Sequence, residues 1–183
     1  MKRITTLCTA SLLTLSAGAA SATELLALGA DGKLFKVDVA SLKVTASMAV
    51  SGASDLRGLD VRPASSQVYL LSGTDQLYTL DAVSGKATAG SKLQTALPGS
   101  GQAVVDFNPV ADRLRLMSPD GTNLRVNVDS GEAAVDGKLA YATDGPYAGK
   151  QAKVVAGAYT NSYAGTKSTA LYNIDLASGS LML

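Results

Sequence analysis

Leu77-Tyr78-Thr79-Leu80-Asp81-Ala82-Val83-Ser84-Gly85 decides the fold, because the chain writes this stretch four times. Leu34-Phe35-Lys36-Val37-Asp38-Val39-Ala40-Ser41-Leu42 precedes it. Asn123-Leu124-Arg125-Val126-Asn127-Val128-Asp129-Ser130-Gly131 and Leu171-Tyr172-Asn173-Ile174-Asp175-Leu176-Ala177-Ser178-Gly179 follow. The Asp or Asn at positions 38, 81, 127 and 175 are 43, 46 and 48 residues apart. Further out, Leu59-Asp60-Val61-Arg62-Pro63 and Val68-Tyr69-Leu70-Leu71-Ser72 return 46 residues later. They return as Val105-Asp106-Phe107-Asn108-Pro109 and Leu114-Arg115-Leu116-Met117-Ser118. Self-similarity at such a period means a solenoid, a propeller or an array.

Inside each unit the polarity alternates with period two. Val105 and Phe107 alternate with Asp106 and Asn108, and Leu114 and Leu116 with Arg113 and Arg115. Asp31-Gly32, Ser84-Gly85 and Asp120-Gly121 supply turns. This predicts short strands joined by tight turns. No stretch after Ala22 sustains a capped helical stripe. A unit of about 45 residues holding three or four strands has the size of a propeller blade. The expected fold is therefore all-β, a propeller-like array of about four repeats, with room for an incomplete ring and a repeat sandwich as the fallback.

The segment before the repeats reads as an export signal. Lys2 and Arg3 precede a short apolar stretch, and Ala20-Ser21-Ala22 offers a cleavage pattern. Residues 1–22 are thus expected to be a signal peptide, and residues 23–183 a β-repeat domain that is secreted or periplasmic. Cys8 is the only cysteine and falls within the signal, so the remainder is expected to hold no disulfide. No membrane association is expected after cleavage, since no later apolar segment approaches spanning length.

Composition narrows the chemistry. Histidine is absent, which removes Ser-His-Asp and Cys-His machinery and most zinc sites. Lys and Arg total 16 against 15 Asp and Glu, so nucleic acid is not an expected partner. Glu24 and Glu132 are the only glutamates. No phosphate loop, dinucleotide fingerprint or nucleophile-elbow motif is present.

Val105 to Arg115, Asn123 to Asn127 with Asp129-Ser130-Gly131, Ala158 to Gly165 and Thr169 to Asp175 together resemble a secreted bacterial family known only as domain of unknown function 4394. The resemblance covers most of residues 25–183. It implies an exported, propeller-like β-repeat protein and carries over no catalytic residues. Members of that family continue past the unit that ends here at Leu183, so the resemblance implies a shortened chain. An open last sheet would present an unpaired edge, which invites strand addition or self-association.

Three of the five arginines after residue 22 lie between Asp106 and Arg125. If residues 108–113 form a hairpin turn, Asn108 faces Arg113 and Asp106 faces Arg115 across two strands. The candidate ligand-binding residues are Asp106, Asn108, Arg113, Arg115 and Arg125, a patch suited to carboxylates or other anions. The competing account is structural: ion pairs between blades, with Asp and Asn tying turns. Asp60 recurs without an arginine at Tyr69, which favours a turn role for Asp106. Asn161, in Tyr159-Thr160-Asn161-Ser162-Tyr163, joins the candidates as a polar loop residue.

Asp38, Asp81, Asn127 and Asp175 could gather calcium at a propeller axis, but each precedes a Ser-Gly or Ser-Leu turn and is better explained as a turn cap. No cofactor is expected, calcium being the weakly supported exception. The expected function is an exported, non-catalytic binding or interaction protein for an extracytoplasmic protein or small ligand. The alternative is a calcium-dependent propeller hydrolase or lactonase using an axial Asp/Asn cluster.

Overall fold

In the computed structural model, residues 24–183 are described and contain fourteen strands and no helix. The export segment expected at residues 1–22 lies outside the described residues. Among those described, no helix is long and apolar enough to cross a membrane.

The strands form four antiparallel sheets in chain order. Blade 1 is β1(Glu24–Leu28), β2(Lys33–Asp38) and β3(Lys43–Ala49). Blade 2 is β4(Leu56–Arg62), β5(Gln67–Ser72), β6(Gln76–Leu80) and β7(Ala87–Lys92). Blade 3 is β8(Val104–Asn108), β9(Arg113–Met117), β10(Asn123–Val126) and β11(Ala133–Val135). Blade 4 is β12(Val154–Tyr159), β13(Leu171–Asp175) and β14(Ser180–Met182). Strands β4, β8 and β12 pack side by side. They are the innermost strands of successive blades, which makes the arrangement a propeller-like array with an open ring.

Period-two patterning sends alternate residues to opposite neighbours. Val105, Phe107, Leu114 and Leu116 meet Tyr69, Leu71 and Leu77 of blade 2 in the largest apolar core. Phe107 and Tyr69 meet edge to face, with centroids 5.4 Å apart. Leu34 of blade 1 packs with Val68, Leu70 and Leu80 on the other side of blade 2. Between blades 3 and 4 the apolar core shrinks to Val104, Met117 and Val154. Leu139 and Leu171 pack against it, and polar bonds from Arg115 and Asp106 to Tyr159 cross the same interface.

The Ser-Gly of the second and third copies has a packing cause. Gly131 sits at φ +76, and a Cβ there would lie 2.0 Å from the Lys92 carbonyl oxygen. The chain leaving β7 crosses this turn closely enough for the Gln94 N–H to bond the Gly131 carbonyl at 2.9 Å. Gly85 does the same for the chain leaving β3, its carbonyl accepting the Ser51 N–H at 2.9 Å. Only glycine tolerates both the left-handed backbone and the crossing.

The fourth copy of the motif departs from the four-fold alignment. The first three copies span β2–β3, β6–β7 and β10–β11, which in blades 2 and 3 are the third and fourth strands from the inside. Leu171 to Gly179 spans β13–β14, the second and third strands of blade 4. The cause is the connection after β12, which runs from Thr160 to Ala170, whereas β8 and β9 are joined across residues 109–112. Residues 160–170 thus stand where blade 3 has both its first turn and the strand β9, so the motif arrives one strand further in. Accordingly, no backbone crosses Gly179, and a Cβ there would meet nothing within 4 Å.

Candidate functional site

The sequence places Asp106 opposite Arg115 and Asn108 opposite Arg113, and the β8–β9 register agrees at both pairs. The ion pair expected across the first does not form, because each partner is engaged elsewhere. Arg115 donates from Nη1 to Asp136 at 2.5 Å and Asn123 at 2.6 Å, and from Nε to the Tyr159 hydroxyl at 3.2 Å. Arg125 shares the same carboxylate, its Nε lying 2.9 Å from both oxygens of Asp136. Burial pushes the Asp136 carboxyl up, but the two guanidiniums outweigh it and hold the group below the usual range.

Asp106 instead accepts the Tyr159 N–H of the next blade at 3.0 Å. One blade earlier, Asp60 accepts the Phe107 N–H at 2.7 Å. These aspartates are therefore clamps between innermost strands and not turn caps, which corrects the turn role read for Asp106. Burial, with the Asp60 charge added, pushes the Asp106 carboxyl up to about 7. Asp60 is raised by burial too. With Arg115 drawn to Asp136, no guanidinium compensates Asp106.

Asn108 is a turn residue. Its side-chain oxygen accepts the N–H groups of Val110 and Ala111 at 3.0 and 2.9 Å. Asn161, at φ +55, donates to the Ser168 carbonyl at 3.0 Å and ties the loop between β12 and β13. The polar groups of Asp106, Asn108, Arg115 and Asn161 are thus committed to structure.

Arg113 and Arg125 differ. They stand on adjacent strands and line an open concavity of about 120 Å3 with Asn127, Glu132 and Ala134. Arg113 donates to the Asp112 backbone carbonyl at 2.9 Å. Among the described residues, none of the ion pairs within 4.0 Å involves Arg113.

The recurring acidic positions cap turns. Asp38 accepts the Ser41 N–H at 2.7 Å, Asp81 the Val83 N–H at 2.8 Å, and Asn127 the Asp129 N–H at 3.0 Å. Asp175 accepts the N–H groups of Lys153 and Ser178 at 2.5 and 2.9 Å, and the Tyr141 hydroxyl donates to it. Burial pushes the Asp175 carboxyl up, and these hydrogen bonds overcome it to leave the group well below the usual carboxylate range. Asp38, Asp81 and Asn127 belong to separate blades and lie at their third or outer hairpins, two strands out from the innermost strand in blades 2 and 3. The axial cluster that a calcium hydrolase would need does not form from them. No group of three or more acidic residues close enough to share a metal occurs among the described residues.

The family model described as Domain of unknown function (DUF4394) matches residues 33–183. The chain belongs to this family. No curated protein matches it. Among solved structures, the β-propeller domain of Cps50 (Swd1) from Myceliophteria thermophila is similar at 12% identity and a TM-score of 0.47. That likeness covers 87% of this chain and 49% of that one. The C-terminal WD40 domain of Sif2 is similar at 15% identity and a TM-score of 0.40, over 87% of this chain and 42% of that one. The chain thus spans half or less of the length of these two structures.

Two arginines were missed by sequence reasoning. Arg57 of β4 is 1% exposed. Its guanidinium donates to the carbonyls of Gly101 and Leu97 at 2.9 Å, Pro98 at 3.1 Å and Gly73 at 3.2 Å. Burial lowers its pKa, partly offset by Asp55 and Asp120. Its only signal was a charge inside an otherwise apolar strand start, Leu56-Arg57-Gly58-Leu59. Arg62 grips Asp112 at 2.6 and 2.8 Å and Asp129 at 2.9 and 3.1 Å, fastening blade 2 to two turns of blade 3. Separations of 50 and 67 residues hide such pairs from local reading.

Proposed function

We propose that this protein is an exported, non-catalytic binding protein and that blade 3 takes a small carboxylate ligand. The observation that carries the reading is the concavity between Arg113 and Arg125. Arg115 and Arg125 are both paired with Asp136, whereas among the described residues no ion pair within 4.0 Å involves Arg113. Its guanidinium is the fork left for a ligand. A planar guanidinium engages a carboxylate through two parallel N–H bonds, and Asn127, just past the end of β10, can add an amide donor. A concavity of about 120 Å3 has room for several waters, and so for a carboxylate and a short tail. Export rests on residues 1–22.

The test is an NMR titration with succinate, following the Arg113 and Arg125 Nε–H signals. Both are expected to shift and saturate, the effect weakening with added salt. Arg113→Ala is expected to abolish saturation while leaving the fold intact. Unmoved signals, or equal succinate affinity in Arg113→Ala, would refute the assignment.

A further inference from the structure

Resting on the reading of Arg113 as a carboxylate fork, we propose that the blade 3 concavity selects a short amino acid. Such a ligand carries one carboxylate and one ammonium, and Glu132 holds the ammonium.

The strand pairing of blade 3 places the lining residues. Arg125 is registered with Arg115 on one side and with Ala134 on the other. Two residues nearer the turns, the same pleat face carries Arg113 at the start of β9, Asn127 just past β10 and Glu132 just before β11. The Asn127 N–H bonds the Glu132 carbonyl at 2.8 Å, which extends the β10–β11 pairing to this row. Arg113 and Glu132 thus stand at the two ends of one row with Asn127 between them. Two strand spacings set their backbones roughly 10 Å apart. All three line the concavity.

The two end charges are not used by the fold. Arg125, the other charge lining the concavity, is paired with Asp136. Among the described residues, neither Arg113 nor Glu132 takes part in an ion pair within 4.0 Å, with each other or with any other group. Both are exposed. Asn127 stays between them, its side-chain oxygen tied to the Asp129 N–H at 3.0 Å. Exposed charges separated by more than a Debye length, about 8 Å at physiological ionic strength, stabilise one another little. Held apart across a concavity, they match a small molecule with the opposite pair, its carboxylate on the Arg113 fork and its ammonium on Glu132. A dicarboxylate turns its second charge against Glu132, and a simple carboxylate leaves Glu132 unmatched.

Blade 2 shows that the repeat supplies the concavity and not the charges. Gln67, Thr79, Asp81, Lys86 and Thr88, each 46 residues before its blade 3 counterpart, line an equivalent concavity of about 380 Å3 together with Leu80. Its row reads Gln67, Asp81, Lys86, with no charge at the β5 end and the two charged residues facing each other across a single turn. Opposite charges at the two ends of the row are particular to blade 3.

Titrations of the protein with γ-aminobutyrate, butyrate and succinate, followed at the Arg113 Nε–H signal, test the proposal. γ-Aminobutyrate is expected to bind roughly 10-fold or more tightly than either carboxylate, the scale of one charge-assisted hydrogen bond. Glu132→Gln should weaken γ-aminobutyrate by roughly the same factor and leave butyrate within about twofold, since butyrate has no group for Glu132. An unchanged far-ultraviolet spectrum confirms that the variant folds, and the comparison of ligands on the wild type stands without it. Saturation by butyrate or succinate with γ-aminobutyrate no tighter would overturn the role of Glu132 and leave Arg113 as a carboxylate fork. A folded Glu132→Gln that keeps the full γ-aminobutyrate affinity would do the same. An Arg113 signal unmoved by all three ligands would overturn both.

Discussion

Replacing Asp106 by Asn tests the clamp between blades 3 and 4. The carboxyl titrates near 7 in the folded chain, chiefly because it is buried and secondly because Asp60 is charged. In the unfolded chain an Asp titrates near 3.9. Between those values the folded state holds a proton that the unfolded state has released. Stability therefore falls as pH rises from about 4 to about 7, and stays at the lower level above that. A shift of about three pKa units corresponds to about 4 kcal/mol. Asn keeps an oxygen for the Tyr159 N–H but carries no charge. Asp106→Asn should accordingly be more stable than the wild type at pH 8, by up to about 4 kcal/mol, and close to it at pH 4.5. The groups held low, such as Asp112 and Asp175, lose stability only as pH drops through their own range; Asp60, raised by burial like Asp106, adds to the slope but is present in both proteins. Urea unfolding at half-unit steps from pH 4.5 to 8.5 measures the difference. If Asp106→Asn reproduced the wild-type slope, or were the less stable protein at pH 8, the account of the clamp would be wrong.

Two further substitutions probe the frame. Gly131→Ala puts a methyl group against the Lys92 carbonyl and should cost at least about 2 kcal/mol in urea unfolding, while Gly179→Ala, at a similar φ with open space around it, should cost about 1. Arg57→Met removes four hydrogen bonds to backbone carbonyls and should destabilise by about 3–5 kcal/mol, with amide exchange accelerating first across residues 93–103.

Much of this architecture is written locally. The β8–β9 hairpin, its register and its two faces follow from alternation around Asn108-Pro109, and the caps at Asp38, Asp81 and Asn127 follow from the residues that come just after them. Site geometry is less local. Asp106 and Arg115 sit opposite each other as expected, but Asp136 outcompetes Asp106 for the guanidinium from 21 residues away. The clamps at Asp60 and Asp106 bond backbone groups 47 and 53 residues distant, and a backbone N–H leaves no mark in the sequence. Arg57 was invisible for the same reason, since all its partners are carbonyls. The fourth motif copy misled because its likeness is real at the scale of a hairpin and fails at the scale of a blade.

That displaced hairpin shows that nine residues of strand, cap and turn carry no address of their own. The same module folds at the rim of one sheet and nearer the hub of another, and the spacer before it chooses the seat. Replacing part of the stretch between Thr160 and Ala170 by a segment that folds as a strand, as Arg113–Met117 does in blade 3, would thus move the motif one strand outward, while leaving the motif's own bonds as they are.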